Sequence, residues 1–414
     1  MFEAKMKILV CNAGSSSFKF SLFEAEGELL LAEGSIDWTT RPTQLLYRRS
    51  GYQEIREELK LEKHADAAWR IADDLQAGPS APLHGLADIR AVGHRIVHGG
   101  DHYTSAVRIT PEVKRAIAEL AELAPLHNLA SLDAIIVAEQ ALPGVAQMAA
   151  FDTAFHATLF EAARTYPVPR KWTREWGIRR YGFHGLSHSY CAGRAAEMVG
   201  RLDLRLVIAH LGNGASMSAV RNGSCVDTSM GFTPLEGLMM GTRSGTIDPG
   251  ILLYLLRHKG LEVNALDKAL NHESGLLGVS GVSSDMRQVL SELPHNPDAR
   301  LAVEVYVHRI RQTICAMAAT LGGVDALVFT AGIGEHAPEI RRRVCENLNF
   351  LGLELDQRAN ETCQADADVA VPASAARILV IATREDLAIM RETRRLLTSS
   401  TGEPQGIESA RLAR

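Results

Sequence analysis

Two stretches of the chain share one order of apolar and polar positions. Residues 7–35 and residues 204–230 each begin with an apolar run that predicts a buried strand. In both, a turn of small residues, a strand of alternating character, a short turn (Glu26-Gly27 or Asn222-Gly223) and a third strand follow. The stretches start roughly 200 residues apart, half the chain, which predicts a duplicated domain with a phosphate-facing hairpin in each half and a cleft between the halves. Two unrelated hairpins are the alternative.

Apolar residues at helical spacing predict three long helices, at 111–123, 129–141 and 301–321. Pro111 after Thr110 marks the start of the first helix, and Gly322-Gly323 the end of the third. Strands and helices then alternate: a strand at 324–332, a helix from about Pro338 and a strand at 377–383. The pattern predicts an α/β protein with a loose polar tail at 399–414.

Composition excludes several classes of protein. A chain of 414 residues predicts two domains, and 46% hydrophobic with 22% charged residues is typical of a soluble enzyme. The net charge is −5, and Lys and Arg are dispersed, so we expect no nucleic-acid partner. No apolar stretch approaches the ~20 residues of a membrane span, and no signal peptide is evident. Six cysteines without a C-x-x-C pair indicate reduced, buried thiols and a cytoplasmic location.

Arginine, histidine and glycine recur together in phrases along the chain. Arg95 lies in GHRIVHGG, His184 in YGFHGLSH and Arg243 in GTRSGTIDPG. Arginine supplies fixed charge in a planar fork, and histidine a switchable donor, so the recurrence predicts phosphoryl transfer. Surface salt bridges for the arginines and a core position for His184 are the alternatives, and Arg179 or Arg180 could serve instead of either arginine.

Three glycine or serine phrases follow predicted strands, as phosphate-binding turns do: NAGSSSFK (12–19), HLGNG (210–214) and TAGIGEH (330–336). The phrase TAGIGEH and the residues after it predict a strand, a glycine loop and a helix. It also fits the dinucleotide pattern G-x-G-x-x-A, which leaves a nicotinamide-dependent oxidoreductase as an alternative, although Glu335 would bring a carboxylate near the pyrophosphate. No Gly-Lys pair occurs, so the usual P-loop is absent.

Asp152 follows the apolar run MAAF, as expected of a carboxylate at the end of a strand in an α/β cleft, with helix capping as the alternative. His188, four residues after His184, suggests a metal pair, but no H-E-x-x-H pattern or third ligand follows, so we reject zinc.

Taken together, these phrases resemble the acetate kinase family. NAGSSSFKF, GHRIVHGG, PLHN, FDTAFH, RRYGFHGLSH, AHLGNGAS, MGFTPLEG, GTRSGTIDPG, SGLLGVSG and TAGIGEH occur in the family's order over roughly residues 6–392. The resemblance implies a duplicated actin-like, ribonuclease-H-like fold of two domains around a cleft. We expect residues 1–152 with a helix at about 386–398 in the first domain and residues 153–385 in the second, nucleotide-binding domain.

The family also implies reversible transfer of the ATP γ-phosphoryl group to acetate with Mg²⁺, or Mn²⁺ in its place, by a homodimer. Arg95, Arg243, His184 and Asp152 look like its catalytic residues. Asn12 and Glu385 look like the metal-side residues. The resemblance implies that the nucleotide is bound by residues from both halves of the chain: Ser17, Lys19, His210, Leu211, Gly212, Asn213, Gly214, Asp285, Met286, Arg287, Gly332, Ile333, Gly334, Glu335 and His336. The resemblance implies a substrate site formed by Arg95 and by an apolar pocket for the methyl group of acetate. The pocket residues are Val97, Leu126, Phe183 and Pro234.

Some positions depart from the family's pattern: His336 stands where asparagine is common, and Arg384 and Asp386 flank Glu385 with added charge. The nearest alternative function is a propionate kinase of the same fold, because one methylene in an apolar pocket is worth only ~1–3 kcal/mol. A chaperone-like module that binds ATP without transferring phosphate is a further alternative. The paired arginines and His184 argue against it. Asp152 we expect to hold an arginine or a magnesium-bound water, because acetate has no proton to give.

Overall fold

The fold is taken from a computed structural model, whose described residues are 5–14, 17–37, 42–59, 64–78, 81–122 and 125–399. Contacts divide the chain into two compact units, Met1–Ala154 with Glu385–Arg414, and Phe155–Arg384. The predicted polar tail lies outside the described residues, apart from Ser399.

The first unit contains a mixed eight-stranded sheet. Its strands are β1 (Lys7–Ala13), β2 (Ser17–Glu24), β3 (Leu29–Asp37), β4 (Thr43–Arg49), β5 (Ile55–Leu59), β6 (Ile89–Ile96), β7 (Val107–Arg108) and β8 (Ala146–Phe151). Its helices are α1 (His64–Gln76), α2 (Pro111–Glu119), α3 (Pro125–Ala141) and α15 (Glu385–Thr398). The strand order is β5-β4-β3-β2-β1-β6-β8-β7, with β1, β6 and β8 parallel.

Helices cover this sheet on both faces. The buried core beneath α1 and α3 includes Leu9, Cys11 and Val92. Gly93, which alternates with Val92 and therefore faces the other side, meets α15. A Cβ at Gly93 would lie 2.7 Å from Cγ2 of Ile389, so glycine allows the close approach of α15. The first residue of α15, Glu385, thereby belongs to the first unit.

The second unit contains a six-stranded sheet in the order β11-β10-β9-β12-β14-β13. Its strands are β9 (Arg205–Leu211), β10 (Ala215–Arg221), β11 (Ser224–Thr228), β12 (Ala326–Thr330), β13 (Ala367–Asp368) and β14 (Arg377–Val380). Its helices are α4 (Glu161–Arg164), α5 (Arg170–Trp176), α6 (Gly185–Val199), α7 (Pro249–His258), α8 (Val263–His272), α9 (Gly275–Ser280), α10 (Met286–Ser291), α11 (Pro297–Leu321), α12 (Ala331–His336), α13 (Pro338–Cys345) and α14 (Gln357–Thr362).

The two sheets share one topology. In the first unit, the antiparallel meander β3-β2-β1 continues into the parallel strands β6 and β8. In the second, β11-β10-β9 continues in the same way into β12 and β14. The hairpins are those predicted from residues 7–35 and 204–230, so the predicted duplication is confirmed.

Several predicted boundaries move. The first predicted helix does begin at Pro111, with the Thr110 side chain accepting from the N–H of Val113, but α2 ends at Glu119 and a 3₁₀ turn follows. The other two long helices each begin four residues earlier than predicted, at Pro125 and Pro297. Proline at the first helical position fixes φ and lacks an N–H that would be unpaired there.

The predicted strand 324–332 is too long, and the strand predicted at 377–383 ends at Val380. β12 ends at Thr330, because Ala331 adopts a left-handed conformation (φ +65°) and α12 begins there. The Ala331 N–H donates to Oγ1 of Thr383 at 3.0 Å, a contact distant in sequence.

Candidate active site

In the first unit, an arginine and an aspartate meet at the carboxyl ends of adjacent parallel strands. Arg95 lies near the end of β6, and Asp152 directly follows β8, the strand that pairs with β6 in parallel. Arg95 Nε donates to both carboxylate oxygens at 3.1 Å, and Nη2 donates to Oδ2 at 2.6 Å. The Asp152 side chain is 1% exposed and that of Arg95 is 20% exposed. This is a buried, bidentate ion pair. It is neither a surface salt bridge of Arg95 nor a helix cap made by Asp152.

Electrostatics within the pair is set by burial and by charge. Burial raises the pKa of the Asp152 carboxyl, and the charge and hydrogen bonds of Arg95 oppose that rise. Burial works to lower the pKa of the Arg95 guanidinium, but the charges of Asp152 and Glu385 outweigh it and raise the pKa. Arg95 therefore stays charged and opposes the protonation of its partner.

Two more predicted residues, Asn12 and Glu385, lie beside this pair, and two others lie on the neighbouring β1–β2 hairpin. Arg95 Nη1 donates to Oδ1 of Asn12 at 3.3 Å and lies 3.9 Å from Oε2 of Glu385. Lys19 is the register partner of Asn12 in the β1–β2 hairpin, so the two side chains point to the same face. Ser17 begins β2, and its carbonyl accepts from the Gly14 N–H at 2.8 Å. Asn12, Arg95, Asp152 and Glu385 thus form one polar cluster, the Arg95 cluster, with Lys19 alongside.

In the second unit, only residues 212–214 of the predicted turn 210–214 join β9 to β10, because His210 and Leu211 end β9. The Gly212 N–H donates to the Gly214 carbonyl at 3.0 Å and closes the turn. A Cβ at Gly214 would lie 2.9 Å from Nη2 of Arg243 and 3.4 Å from Nε2 of His184. An arginine and a histidine therefore lie over one glycine, and a larger residue there would displace them.

Three other predicted nucleotide contacts, residues 285–287, directly follow Ser284, which lies near Gly241 beside the same turn. The Gly241 N–H donates to the Asn213 carbonyl at 2.9 Å, and a Cβ at Gly241 would lie 3.1 Å from the Ser284 carbonyl oxygen. Asp285 caps α10 and accepts from the Arg287 backbone at 2.9 Å and from its exposed guanidinium. Met286 between them is buried, so it contributes packing.

His184 is held at the start of α6. It is the residue before the helix, in a left-handed conformation (φ +58°), and its ring stacks on His210 with centroids 4.2 Å apart. Its Nδ1 lies 2.9 Å from Oγ of Ser216. Both the stacking and the hydrogen bond fix the orientation of the ring, which leaves Nε2 toward Gly214.

Arg243 differs from Arg95 in its partners. Its Nη1 donates to the Pro234 carbonyl at 2.7 Å, and no carboxylate in the described part of the chain lies within ion-pair distance. Burial lowers the pKa of this guanidinium from its ordinary value. A buried cation without a carboxylate suits a site that receives an anion.

Arg180, the alternative arginine, is committed elsewhere. Its Nη1 donates to three successive carbonyls, of Thr228, Ser229 and Met230, at 3.0–3.1 Å, and its Nη2 donates to Glu236 at 2.8 Å. Tyr166 also donates to Glu236. Arg180 therefore anchors the loop that leads to Pro234. Arg179 lies over the Tyr181 ring, 4.9 Å from its centroid.

The segment Gly332–His336 is helical, so the predicted glycine loop is wrong. All five residues lie in α12, directly after β12. The Glu335 carboxylate accepts from the Thr383 N–H at 2.9 Å, and Arg341 donates to the carbonyls of Gly334 and Glu335 at 2.9 and 2.7 Å. The glycine loop that a nicotinamide site needs between strand and helix is absent from this segment.

The four predicted pocket residues are divided between the units. Val97 follows β6 and is buried. Leu126 lies in α3, and its side chain is outside the described residues. Phe183 is buried, and its carbonyl accepts from His156 at 2.9 Å. Pro234 presents its carbonyl to Arg243.

Sequence reasoning missed Ser216, Glu236 and Arg341, which hold predicted site residues in place. Ser216 is the register partner of His210 in the β9–β10 hairpin, so the hairpin pattern could have indicated it. Arg341 is buried and bonds mainly to carbonyl and amide oxygens. Nothing in its sequence neighbourhood distinguishes it from Arg342 and Arg343.

The chain matches the acetokinase family model over residues 7–391. It is 49% identical to an acetate kinase of Nostoc punctiforme, with 95% of this chain and 100% of that protein covered. An acetate kinase of Acaryochloris marina is 50% identical, with 93% and 98% covered. No helix in the described residues combines the length and the apolar character needed to cross a membrane.

Solved structures of similar fold include members of the same family. The crystal structure of Porphyromonas gingivalis acetate kinase is similar with a TM-score of 0.89 at 40% identity, covering 95% of this chain and 100% of that chain. A propionate kinase from Francisella tularensis is similar with a TM-score of 0.88 at 37% identity, covering 94% and 99%. The predicted fold class is confirmed.

Proposed function

The chain belongs to the acetokinase family, and we propose that it transfers the γ-phosphoryl group of ATP reversibly to acetate, giving acetyl phosphate and ADP. The observation that carries the site assignment is the meeting of Arg243 and His184 over Gly214. Both side chains approach the backbone of one tight turn, and Arg243 has no carboxylate partner in the described residues. This is the arrangement that stabilises negative charge developing on phosphoryl oxygens.

Acetate needs no general base. Its carboxyl group resembles those of Asp and Glu, with a pKa near ~4, and is already ionised at neutral pH. A carboxylate oxygen forms the new bond to the γ-phosphorus, and the bond from that phosphorus to the bridging oxygen of ADP breaks. The obstacle is repulsion between two anions. Arg95 offsets this repulsion and orients the attacking oxygen, while His184 and Arg243 donate to the equatorial oxygens.

Asp152 holds Arg95 in our proposal and takes no proton. Its three hydrogen bonds from Arg95 occupy both carboxylate oxygens, and acetate at neutral pH has no proton to remove. Asp152 therefore fixes the guanidinium so that its remaining N–H groups can face the substrate.

The Arg95 cluster also suits Mg²⁺, or Mn²⁺, accompanying the nucleotide. Asn12 Oδ1 and Glu385 Oε2 approach the same guanidinium nitrogen, at 3.3 and 3.9 Å, and oxygen atoms are the ligands that Mg²⁺ prefers. No three His, Cys, Asp or Glu side chains in the described part of the chain form a metal cluster. Asn12 and Glu385 would thus hold an ion that keeps most of its water. When bound, the ion neutralises phosphate charge.

The nucleotide contacts, in our proposal, lie along the turn 210–214, the start of α10 and α12. Ser17 and Lys19 face the phosphates from the first unit. The methyl group of acetate lies against Val97, Leu126, Phe183 and Pro234. Propionate, with one more methylene, is the nearest alternative substrate, and the similarity to a propionate kinase favours testing it.

The test is a hydroxamate assay with ATP, Mg²⁺, hydroxylamine and either acetate or propionate. We expect product with both acids and a higher kcat/KM for acetate. A higher kcat/KM for propionate would favour a propionate kinase. No product with either acid, together with NADH binding, would favour an oxidoreductase.

Two finer proposals come from the family. We propose a homodimer, which light scattering on a sizing column tests, with a mass of one chain (45.0 kDa) as the contradicting result. We also propose a cytoplasmic location, supported by six unpaired cysteines, four of them buried. Recovery of the native chain from an extracellular or periplasmic fraction would contradict it.

A further inference from the structure

A serine hydroxyl links two histidines beneath the His184 ring. Ser216 Oγ lies 2.9 Å from Nδ1 of His184 and 2.8 Å from Nε2 of His188. His188 lies in the first turn of α6 and His184 directly precedes that helix, and the His188 N–H donates to the His184 carbonyl at 3.0 Å. Ser216 lies in β10, and both Ser216 and His188 are fully buried. The contacts form one chain of hydrogen bonds, from His188 through Ser216 to His184.

One hydroxyl proton must serve two imidazole rings. Ser216 can donate to one ring nitrogen and must accept a hydrogen bond from the other, so only two arrangements exist for neutral rings. Burial, with smaller effects from His156 and His210, holds the pKa of His188 well below its ordinary value, so His188 is neutral.

The surroundings of His188 decide between the two arrangements. Its Nδ1 is buried and has no hydrogen-bond partner in the described part of the chain. If Ser216 donated to His188 Nε2, the His188 proton would lie on Nδ1 as a buried N–H without an acceptor. In the other arrangement, Nδ1 carries only a lone pair. A buried N–H without an acceptor is rarer in proteins than a buried acceptor atom without a donor, so the second arrangement is favoured.

We propose that Ser216 and His188 are positioning residues that hold His184 as the neutral tautomer with its proton on Nε2. His188 Nε2–H donates to Ser216, and the Ser216 hydroxyl donates to His184 Nδ1. The His184 Nε2–H then points to the side of the ring where Gly214 and Arg243 lie.

The stacked ring of His210 keeps the plane of His184 fixed. Ser187 Oγ lies 2.8 Å from Nδ1 of His210 and orients that second ring. For its kinetic consequence, this inference depends on the proposed function: a neutral Nε2–H donor is available to an equatorial phosphoryl oxygen without His184 having to take up a proton. The tautomer itself is a property of the free protein.

The direct test is a two-dimensional ¹⁵N–¹H spectrum of the imidazole groups in the full chain labelled on histidine. The His184 signals are assigned by their loss in His184→Gln. We expect Nδ1 to resonate as an unprotonated nitrogen and Nε2 as a protonated one. A protonated Nδ1 on His184 in the wild-type protein would overturn the proposal, and this readout requires neither substrate nor activity.

Variants of two neighbouring serines supply the kinetic test. Ser216→Ala should give His184 a mixture of tautomers and lower kcat roughly ten- to hundredfold, with little change in the KM for ATP. Ser216→Thr keeps the hydroxyl and should restore the wild-type tautomer. Ser218→Ala is the matched control: it also removes a buried hydroxyl from β10, one that contacts Thr228 and not His184, and should change kcat less than about threefold.

The outcomes separate this proposal from the proposed function. Wild-type tautomer and kcat in Ser216→Ala would overturn the positioning role. A wild-type protein with the expected tautomer but no hydroxamate formation would leave the tautomer assignment standing and refute the kinase. If Ser216→Ala does not fold, the wild-type spectrum and Ser216→Thr still decide the question.

Discussion

Arg95 and Arg243 should differ sharply in what their removal does to stability. Arg95→Ala leaves the Asp152 carboxylate buried, at 1% exposure, without its cation. Arg243→Ala removes a hydrogen bond to the Pro234 carbonyl and leaves no carboxylate uncompensated among the described residues. Both arginines are proposed to act on the same reaction. Only Arg95 also compensates a buried carboxylate in the folded protein.

The expected magnitudes follow from those partners. Removing one member of a buried ion pair costs about 3–5 kcal/mol, and losing one ordinary hydrogen bond costs about 1 kcal/mol. In a unit of this size, each kcal/mol lowers the melting temperature by roughly 2–4 °C. Arg95→Ala should therefore melt roughly 6–20 °C below the wild-type protein, and Arg243→Ala only a few degrees below it.

The measurement is calorimetry of both variants at several pH values. Burial raises the pKa of Asp152, and without Arg95 to oppose it the pKa rises further. A carboxyl group with a raised pKa binds its proton more tightly in the folded state, so stability increases as the pH falls. The Tm deficit of Arg95→Ala should shrink from about pH 8 to about pH 5.5. Adding Asp152→Asn should recover part of it, because the amide is neutral.

Two results would refute this reasoning. A Tm of Arg95→Ala within a few degrees of that of Arg243→Ala would mean that Asp152 is not a buried charge. A deficit that does not change with pH, or that Asp152→Asn does not reduce, would assign the destabilisation to lost packing. Arg95→Lys, which keeps the charge but not the bidentate geometry, tests catalysis with less effect on folding.

Gly214→Ala should lower kcat/KM at least tenfold with little change in Tm, because the added Cβ would lie 2.9 Å from Nη2 of Arg243; wild-type kinetics would show that the turn does not position the guanidinium. Glu236→Gln should lower kcat/KM by roughly tenfold, because its carboxylate accepts from Arg180 and so fixes the loop that holds Arg243; unchanged steady-state rates would contradict this. Burial lowers the pKa of His94 from 6.5 to about 4. The unfolded state then takes up the proton first as the pH falls, and between about pH 6.5 and 4 His94 should cost roughly 2–3 kcal/mol of stability. Removing it in His94→Gln should flatten the fall of Tm with acid, and an unchanged slope would show that His94 does not contribute.

The repeated hairpins could be predicted because their information is local. Strands such as β1 and β9 are buried on both faces, so they read as continuous apolar runs, and the turns that follow are marked by small residues. The position of Asp152 at the end of a strand could be anticipated from the apolar run before it, whereas the strand that carries Arg95, β6, is seen only in the structure. That Asp152 directly contacts the guanidinium agrees with the expectation that it holds an arginine.

Other features depend on contacts far apart in sequence. The start of α12 at Ala331 needs a left-handed residue and a hydrogen bond from the Ala331 N–H to Thr383, and neither leaves a local pattern. The role of Ser216 needs both the hairpin register and the packing of α6 on the sheet. Arg341 became distinguishable from its neighbours only through burial. Hydrophobic periodicity determines elements, whereas side-chain networks of this kind depend on tertiary packing.

The central proposal is that Arg95 and Arg243 act on one transferring phosphoryl group. The most direct test is a crystal structure of the protein with a non-hydrolysable ATP analogue, Mg²⁺ and acetate. We predict that the terminal phosphate lies within hydrogen-bonding distance of Arg243 and His184, with the acetate carboxylate between it and Arg95. A terminal phosphate out of reach of both arginines would contradict the account.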